Sequence, residues 1–166
     1  ARGAEPRYGE VGPRYREAER RHGKVGPSYG EVEPRYDDVE VGLALPPLAA
    51  EPISRLTLAL YCGASGDHNP IHVDLDDARA AGHGDVFAHG MLPMAYLARQ
   101  LTGWAPQRAL RSLKARFVTI TQVGDRLVCS ASVQEKLPAR QVRLALSVRD
   151  QAGAEKLAGE AVVALP

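Results

Sequence analysis

YCGASGDHNPIHVDLDDARAAGHGDVFAHGML, residues 61–92, holds four of the chain's five histidines (His68, His72, His83 and His89) beside Asp67, Asp74, Asp76, Asp77 and Asp85. Its centre, Ser65-Gly66-Asp67-His68-Asn69-Pro70-Ile71-His72, sets a carboxylate and an imidazole five residues apart, in a segment that Gly66, Asn69 and Pro70 keep from being helical. On a helix, groups at that spacing point to different faces. Across a turn they can converge on one atom.

Outward from this stretch the pattern is that of a packed domain. Met91 to Leu101 is apolar on nearly every face until Thr102 and Gly103, which predicts a buried helix. Four alternating series follow: Leu113, Ala115, Phe117, Thr119; Leu127, Cys129, Ala131, Val133; Val142, Leu144, Leu146, Val148; and Ala161, Val163, Leu165. Gly124-Asp125, Pro138-Ala139 and Gln151-Ala152-Gly153 supply turn signals between them. On the N-terminal side, Ser54 reads as the N-cap of a helix carrying Leu56, Leu58, Leu60 and Tyr61 that stops at Gly63 or Gly66. Asp76 to Ala81 reads as a short helix ended by Gly82. Leu43 to Ile53 is apolar but contains Pro46, Pro47 and Pro52, so it is expected as an edge strand or an extended lead-in. One buried helix and a run of long antiparallel strands imply an α+β domain whose sheet wraps the helix.

Residues 6–39 carry a repeat with a period of seven, in which Tyr8, Tyr15, His22, Tyr29 and Tyr36 share one phase and Val11, Ala18, Val25, Val32 and Val39 another. Prolines at 6, 13, 27 and 34 exclude a coiled coil, since an interior proline costs a helix about 3 kcal/mol. The expected organisation is therefore a poorly ordered arm over residues 1–33 and one domain over residues 34–166, because short repeats without a stacked core rarely fold alone.

A chain of 166 residues is long enough to bury a core without disulfide or metal staples. Its 21 basic and 20 acidic side chains leave a net charge of +1, so no long-range field recruits nucleic acid or an acidic membrane. Cys62 and Cys129 fit no metal or redox spacing and read as reduced thiols of a cytosolic protein. No apolar run approaches the roughly 18 residues of a membrane helix, and the polar N-terminus is not a signal peptide. The expected location is the cytoplasm.

The stretch resembles the signature of the MaoC-like dehydratases, the R-specific enoyl-thioester hydratases of the hotdog superfamily. Tyr61, Ser65, Gly66, Asp67, Asn69, Pro70, Ile71, His72, Asp74 and Ala78 occupy the first half of that pattern, and Ala88, His89, Gly90, Met91 and Leu92 the second. Pro34 to Gly42, the last repeat unit, resembles the usual opening of such a domain. The resemblance implies a hotdog fold, an architecture that agrees with the helix and strand pattern, and it implies that Asp67 and His72 are catalytic.

Adding water to an α,β-unsaturated thioester needs a base at the water, an acid for Cα, and a donor to the enolate oxygen. Histidine is a residue type suited to acid–base work near neutrality, so His72 can relay a proton while Asp67 holds and polarises the water, although the residue types leave open which of the two is the base. Asn69 is read as orienting His72 or closing the turn with its amide. Gly90, at the start of the buried helix, offers an unobstructed N–H to the thioester oxygen. Against these stand plainer readings: Asp67 and Asn69 as turn residues, His72 as a satisfied core histidine, His89 as a support for the Gly90 turn, and His68 and His83 as exposed. Leu97, Ala98, Leu101 and Trp104 line an acyl tunnel or simply fill the core, and Arg108, Arg111, Lys114 and Arg116 meet CoA or carrier-protein phosphates or form a solvated edge. No metal or cofactor is expected, since the chemistry needs none and the His/Asp spacing fits no familiar zinc motif. The partners expected are an acyl-CoA or acyl-carrier-protein thioester and a second copy of the chain, because a single hotdog unit leaves a sheet edge unpaired. The runner-up functions are a noncatalytic acyl-thioester-binding subunit supporting a catalytic partner, and a hotdog thioesterase.

Overall fold

The computed structural model describes residues 33–166, and the repeat units before Glu33 lie outside the described residues. Helix α1 (Arg55–Ser65) begins at a reciprocal cap: Ser54 Oγ accepts from the Thr57 N–H at 3.0 Å, and Thr57 Oγ1 accepts from the Ser54 N–H at 3.4 Å. Two donors that a helix start leaves without acceptors are thereby satisfied. The helix runs through Gly63 and stops at Gly66, whose φ of 73° is open to a residue without Cβ. Asp74 caps the short α2 (Leu75–Ala80) by accepting from Asp76 N–H and Asp77 N–H at 2.8 and 3.2 Å.

Five strands form one sheet: β1 (Leu48–Ala49), β2 (Leu110–Phe117), β3 (Val128–Leu137), β4 (Gln141–Arg149) and β5 (Glu155–Ala164). Their order is β1-β3-β4-β5-β2, with every neighbouring pair antiparallel. The proline-rich lead-in forms the short edge strand β1, as residues lacking N–H donors require. Helix α3 (Met91–Trp104) touches all five strands. Strands lie about 4.8 Å apart, so one helix reaches five of them only if the sheet curls around it. This is the hotdog architecture.

The predicted inward series are buried on β3 (Cys129, Ala131, Val133), β4 (Val142, Leu144, Leu146, Val148) and β5 (Ala161, Val163). The first series is shorter than the alternation implied: β2 ends at Phe117, and Thr119 lies beyond it, its hydroxyl donating to the Glu155 carbonyl at 2.8 Å. Helix α3 is buried along the side facing the sheet, through Leu92, Pro93, Leu97, Gln100 and Leu101, whereas Met91 is 52% exposed. Gln100 is the polar exception in that face, and its amide donates to the Pro46 carbonyl at 2.9 Å. On β5, Gly159 faces Ala115 of β2 so closely that a Cβ there would collide with the Lys114 carbonyl. Tyr36 ties the start of the described chain to its end, its N–H donating to the Pro166 carbonyl at 3.0 Å while Lys136 Nζ sits 4.1 Å over its ring.

Candidate active site

After Gly66 reverses the chain, side chains and backbone lock Asp67 to His72 into a compact turn. Asp67 N–H donates to Ser65 Oγ at 3.2 Å, Asn69 N–H to Asp67 Oδ1 at 3.3 Å, and Ile71 N–H to Asn69 Oδ1 at 3.4 Å. Pro70 opens the single 3-10 turn Pro70–His72, where its missing N–H costs nothing. Of the two roles read for Asn69, the structure gives turn closure. The group that orients His72 is a backbone carbonyl: His72 Nδ1 lies 2.8 Å from Phe87 O. A carbonyl only accepts, so Nδ1 carries the proton and the neutral ring keeps its lone pair on Nε2. Sequence reasoning misses Phe87 in this role, because no side-chain signal marks a carbonyl contribution.

The segment bearing that carbonyl is held from two sides. Phe87 bridges to Gln122 and Ala88 N–H donates to Thr121 O at 2.9 Å, so residues 87–88 pair with the loop after β2. Arg55 of α1 grips Asp85 through both carboxylate oxygens at 2.8 and 2.9 Å. That hydrogen bond holds the Asp85 carboxyl below its ordinary range. Two residues past Phe87, His89 is fully buried and lies against His72 with ring centroids 4.0 Å apart and planes tilted by 32°. Its Nε2–H donates to the Asp67 carbonyl at 3.1 Å, leaving Nδ1 as a buried nitrogen with no hydrogen-bond partner among the described residues. Burial first, and the neighbouring His72 second, push the His89 pKa down, so this ring is neutral near pH 7. Its side chain supports the Asp67 backbone and the face of His72. Tyr61 lies against His89 with ring centroids 5.0 Å apart, its hydroxyl pKa raised by burial and by Asp67.

Asp67 is exposed and His72 is 7% exposed, so the pair stands at the boundary of solvent and core. Ligand atoms of Asp67, His72 and His89 lie within 4.8 Å of one another. A carboxylate and an imidazole whose ligand atoms are no more than 4.8 Å apart can share one bridging water.

Gly90 caps α3 with φ −55° and ψ −34°, so glycine is not needed there for its backbone freedom. A Cβ there would stand 3.3 Å from the exposed Phe117 ring, which would have to give by a few tenths of an ångström. Gly90 and Pro93 form one wall of a cleft of about 280 Å³, and Phe117, Val118, Thr119, Ile120, Thr121 and Lys156 form the rest. The N–H groups of a first helical turn have no intrahelical acceptor and point outward along the dipole, here at the mouth of this cleft. Leu97 and Leu101 belong to the core, while Ala98 is half-buried. His68 is exposed as expected, whereas His83 is half-buried with its ring 4.5 Å from Phe87. Of the four basic residues, Arg108 pairs with Glu33 and Lys114 with Glu160, each at 3.2 Å. Cys129 is buried and its thiol is pushed up to about 12 by that burial, which makes it inert. Among the described residues, no helix is long and apolar enough to cross a membrane.

A curled antiparallel sheet around one helix, with an exposed carboxylate and an oriented imidazole beside it, defines a hotdog-fold protein. The chain belongs to the MaoC-like family: the model of the MaoC like domain matches residues 44–152. It is 28% identical over 135 residues to the (R)-specific enoyl-CoA hydratase of Rhodospirillum rubrum, spanning 79% of this chain and 91% of that protein. It is 31% identical over 136 residues to the 3-hydroxybutyryl-CoA dehydratase of Methylorubrum extorquens, spanning 79% and 83%. Among solved structures, the unliganded R-hydratase PhaJ1 of Pseudomonas aeruginosa superposes with a TM-score of 0.72 at 32% identity, covering 80% of this chain and 85% of that one.

Proposed function

We propose that the chain catalyses the reversible hydration of trans-2-enoyl thioesters, linked to CoA or to a carrier protein, giving (3R)-3-hydroxyacyl thioesters. The observation that carries this reading is the His72 to Phe87 O hydrogen bond, because it leaves Nε2 unprotonated in a ring that shares one side-chain cluster with Asp67. In this scheme Asp67 holds a water and His72 Nε2 takes one of its protons as the oxygen bonds to Cβ. The π electrons move to the thioester oxygen, where the N–H of Gly90 and the positive end of α3 stabilise the enolate. Such a donor is typically worth about 3 kcal/mol in the transition state. The enolate then collapses and Cα takes the proton from His72, which regenerates the site with all atoms of the water in the product. The R configuration is supported by the names of the relatives above.

The substrate would lie along the cleft beside Gly90, whose walls include Phe117, Val118 and Ile120, each partly exposed. We further propose a homodimer joined through β2. That strand is an outer strand of the sheet, and exposed Met91, Phe117, Val118 and Ile120 lie at or next to its end. Adding crotonyl-CoA to the purified protein and following the loss of enoyl absorbance, with chiral analysis of the product, tests the reading. Hydration to the R isomer supports it. Release of free thiol without hydration would indicate a thioesterase, and binding without turnover a noncatalytic subunit.

A further inference from the structure

Lys156 stands near the start of β5 with only 7% of its surface exposed, next to Leu157, which is also buried. Two successive buried residues break the strand's alternation, at the point where the β4–β5 register shifts between Val148 and Arg149. The ammonium's three protons find three acceptors: Asp125 Oδ2 at 2.9 Å, Asp150 Oδ2 at 3.0 Å and the Ile120 carbonyl at 3.0 Å. Each carboxylate is engaged again. Asp125 Oδ2 accepts from Gln122 N–H at 2.8 Å, and Asp150 Oδ1 accepts from Ala152 N–H and Ala154 N–H at 2.9 and 3.0 Å. Burying such a cluster is a weak route to stability, since well-packed apolar residues commonly do as well. Its geometry has a more specific consequence.

The residues that Lys156 and Asp125 fix, Ile120 and Gln122, flank Thr121. Thr121 O accepts from Ala88 N–H, and Gln122 bridges Phe87. Phe87 in turn presents the carbonyl that orients His72, and Gly90 follows three residues later. The triad is therefore one short, fully hydrogen-bonded chain away from both the imidazole and the helix N-terminus, and Lys156 itself lines the cleft beside Gly90. We propose that Lys156, clamped between Asp125 and Asp150, is a positioning residue for the hydration reaction: it fixes residues 120–122 as the template on which residues 87–90 are laid, and so sets the orientation of His72.

The rate arm of this proposal rests on the hydratase reading; the spectroscopic arm does not. Three variants of the full chain test it: K156M, which removes the charge at similar volume; K156R, which keeps it; and D150N, which keeps a carbonyl acceptor for the 150–154 turn and removes one carboxylate. Folded fraction is taken from circular dichroism and backbone amide spectra. The pKa of His72 and its Nδ1–H signal are read from imidazole nitrogen NMR. The expected result is a fall in kcat of about 10-fold or more for K156M and D150N with KM within about two-fold. A moved His72 titration and a broadened Nδ1–H signal are expected with it, and K156R should lie nearer wild type than K156M. A merely structural triad would lower the folded fraction but leave the turnover per folded molecule and the His72 signals unchanged, and that outcome in D150N overturns the proposal even if K156M does not fold. If wild type hydrates no enoyl thioester, the hydratase reading fails, while an unmoved or moved His72 signal still decides the positioning role.

Discussion

The Phe87 carbonyl and the His72 ring, 2.8 Å apart and fifteen residues apart in sequence, fix the tautomer of that ring, with the proton on Nδ1 and the lone pair on Nε2. A second imidazole, His89, lies under the first and is itself tied to the Asp67 backbone. The two motif halves are therefore joined: His89 of the second holds the Asp67 backbone of the first, and His72 of the first meets the carbonyl of Phe87, the residue just before the second.

That arrangement makes stability pH-dependent through His89. Burial and His72 depress its folded pKa below the ordinary value of 6.5. The unfolded chain thus binds a proton at a pH where the folded one does not, and the sign follows: this contribution is complete above pH 6.5 and is lost as pH falls towards the folded pKa. Urea midpoints measured from pH 7.5 to 5.5 should fall with pH in wild type, and the slope should flatten in His89→Gln. An equal slope in both proteins would assign the effect to other groups. The carboxylates of Asp85, Asp150 and Glu160, whose folded pKa values are lowered by their cationic partners, act in a separate window at more acid pH.

Gly159→Ala should destabilise the fold by about 1–3 kcal/mol, the usual cost of forcing extra volume into a packed place. The Cβ would meet backbone, the Lys114 carbonyl, and not a movable side chain. Thermal melts followed by circular dichroism read the change; an unchanged midpoint would mean that β2 shifts without cost.

If β2 is the seam between two copies, light scattering at micromolar concentration should return twice the chain mass. The exposed Phe117, at 52%, should then be covered, and Phe117→Lys should shift the protein towards monomer. A wild-type monomer with full activity would contradict the homodimer.

Removing residues 1–33 should leave folding and hydration intact. Glu33 is the last residue of that segment, and its exposed ion pair with Arg108 is of a type worth at most about 1 kcal/mol. Aggregation, or a loss of more than about 2 kcal/mol in denaturant unfolding, well beyond ordinary surface effects, would mean that the repeat packs on the domain.

Much of the scaffold was legible because it is local. Ser54 capping, the Gly66 stop and the period-two series of β3, β4 and β5 follow from residues within a few positions of each other. The stretch from Tyr61 to Leu92 marked the candidate site for the same reason. What could not be read depends on tertiary register: a carbonyl of Phe87 presented by its pairing with Gln122, and Lys156 turned inward by a slip between β4 and β5. Asn69 shows the limit well, since its amide serves the turn while the orienting contact to His72 comes from a backbone atom.

The central claim is that Asp67 and His72 act together on one water. Turnover of crotonyl-CoA by Asp67→Asn, His72→Gln and the double variant, with thioester binding and fold monitored alongside, tests it most directly. His68→Gln serves as the control, since His68 is exposed, whereas His83 touches Phe87. Each single change should lower kcat by roughly 100-fold or more, the scale of general acid–base groups, and the double variant should be little worse than either, as for residues acting as a unit. His68→Gln should stay within a few-fold of wild type. A motif variant that binds thioester, stays folded and keeps its rate would contradict the assignment.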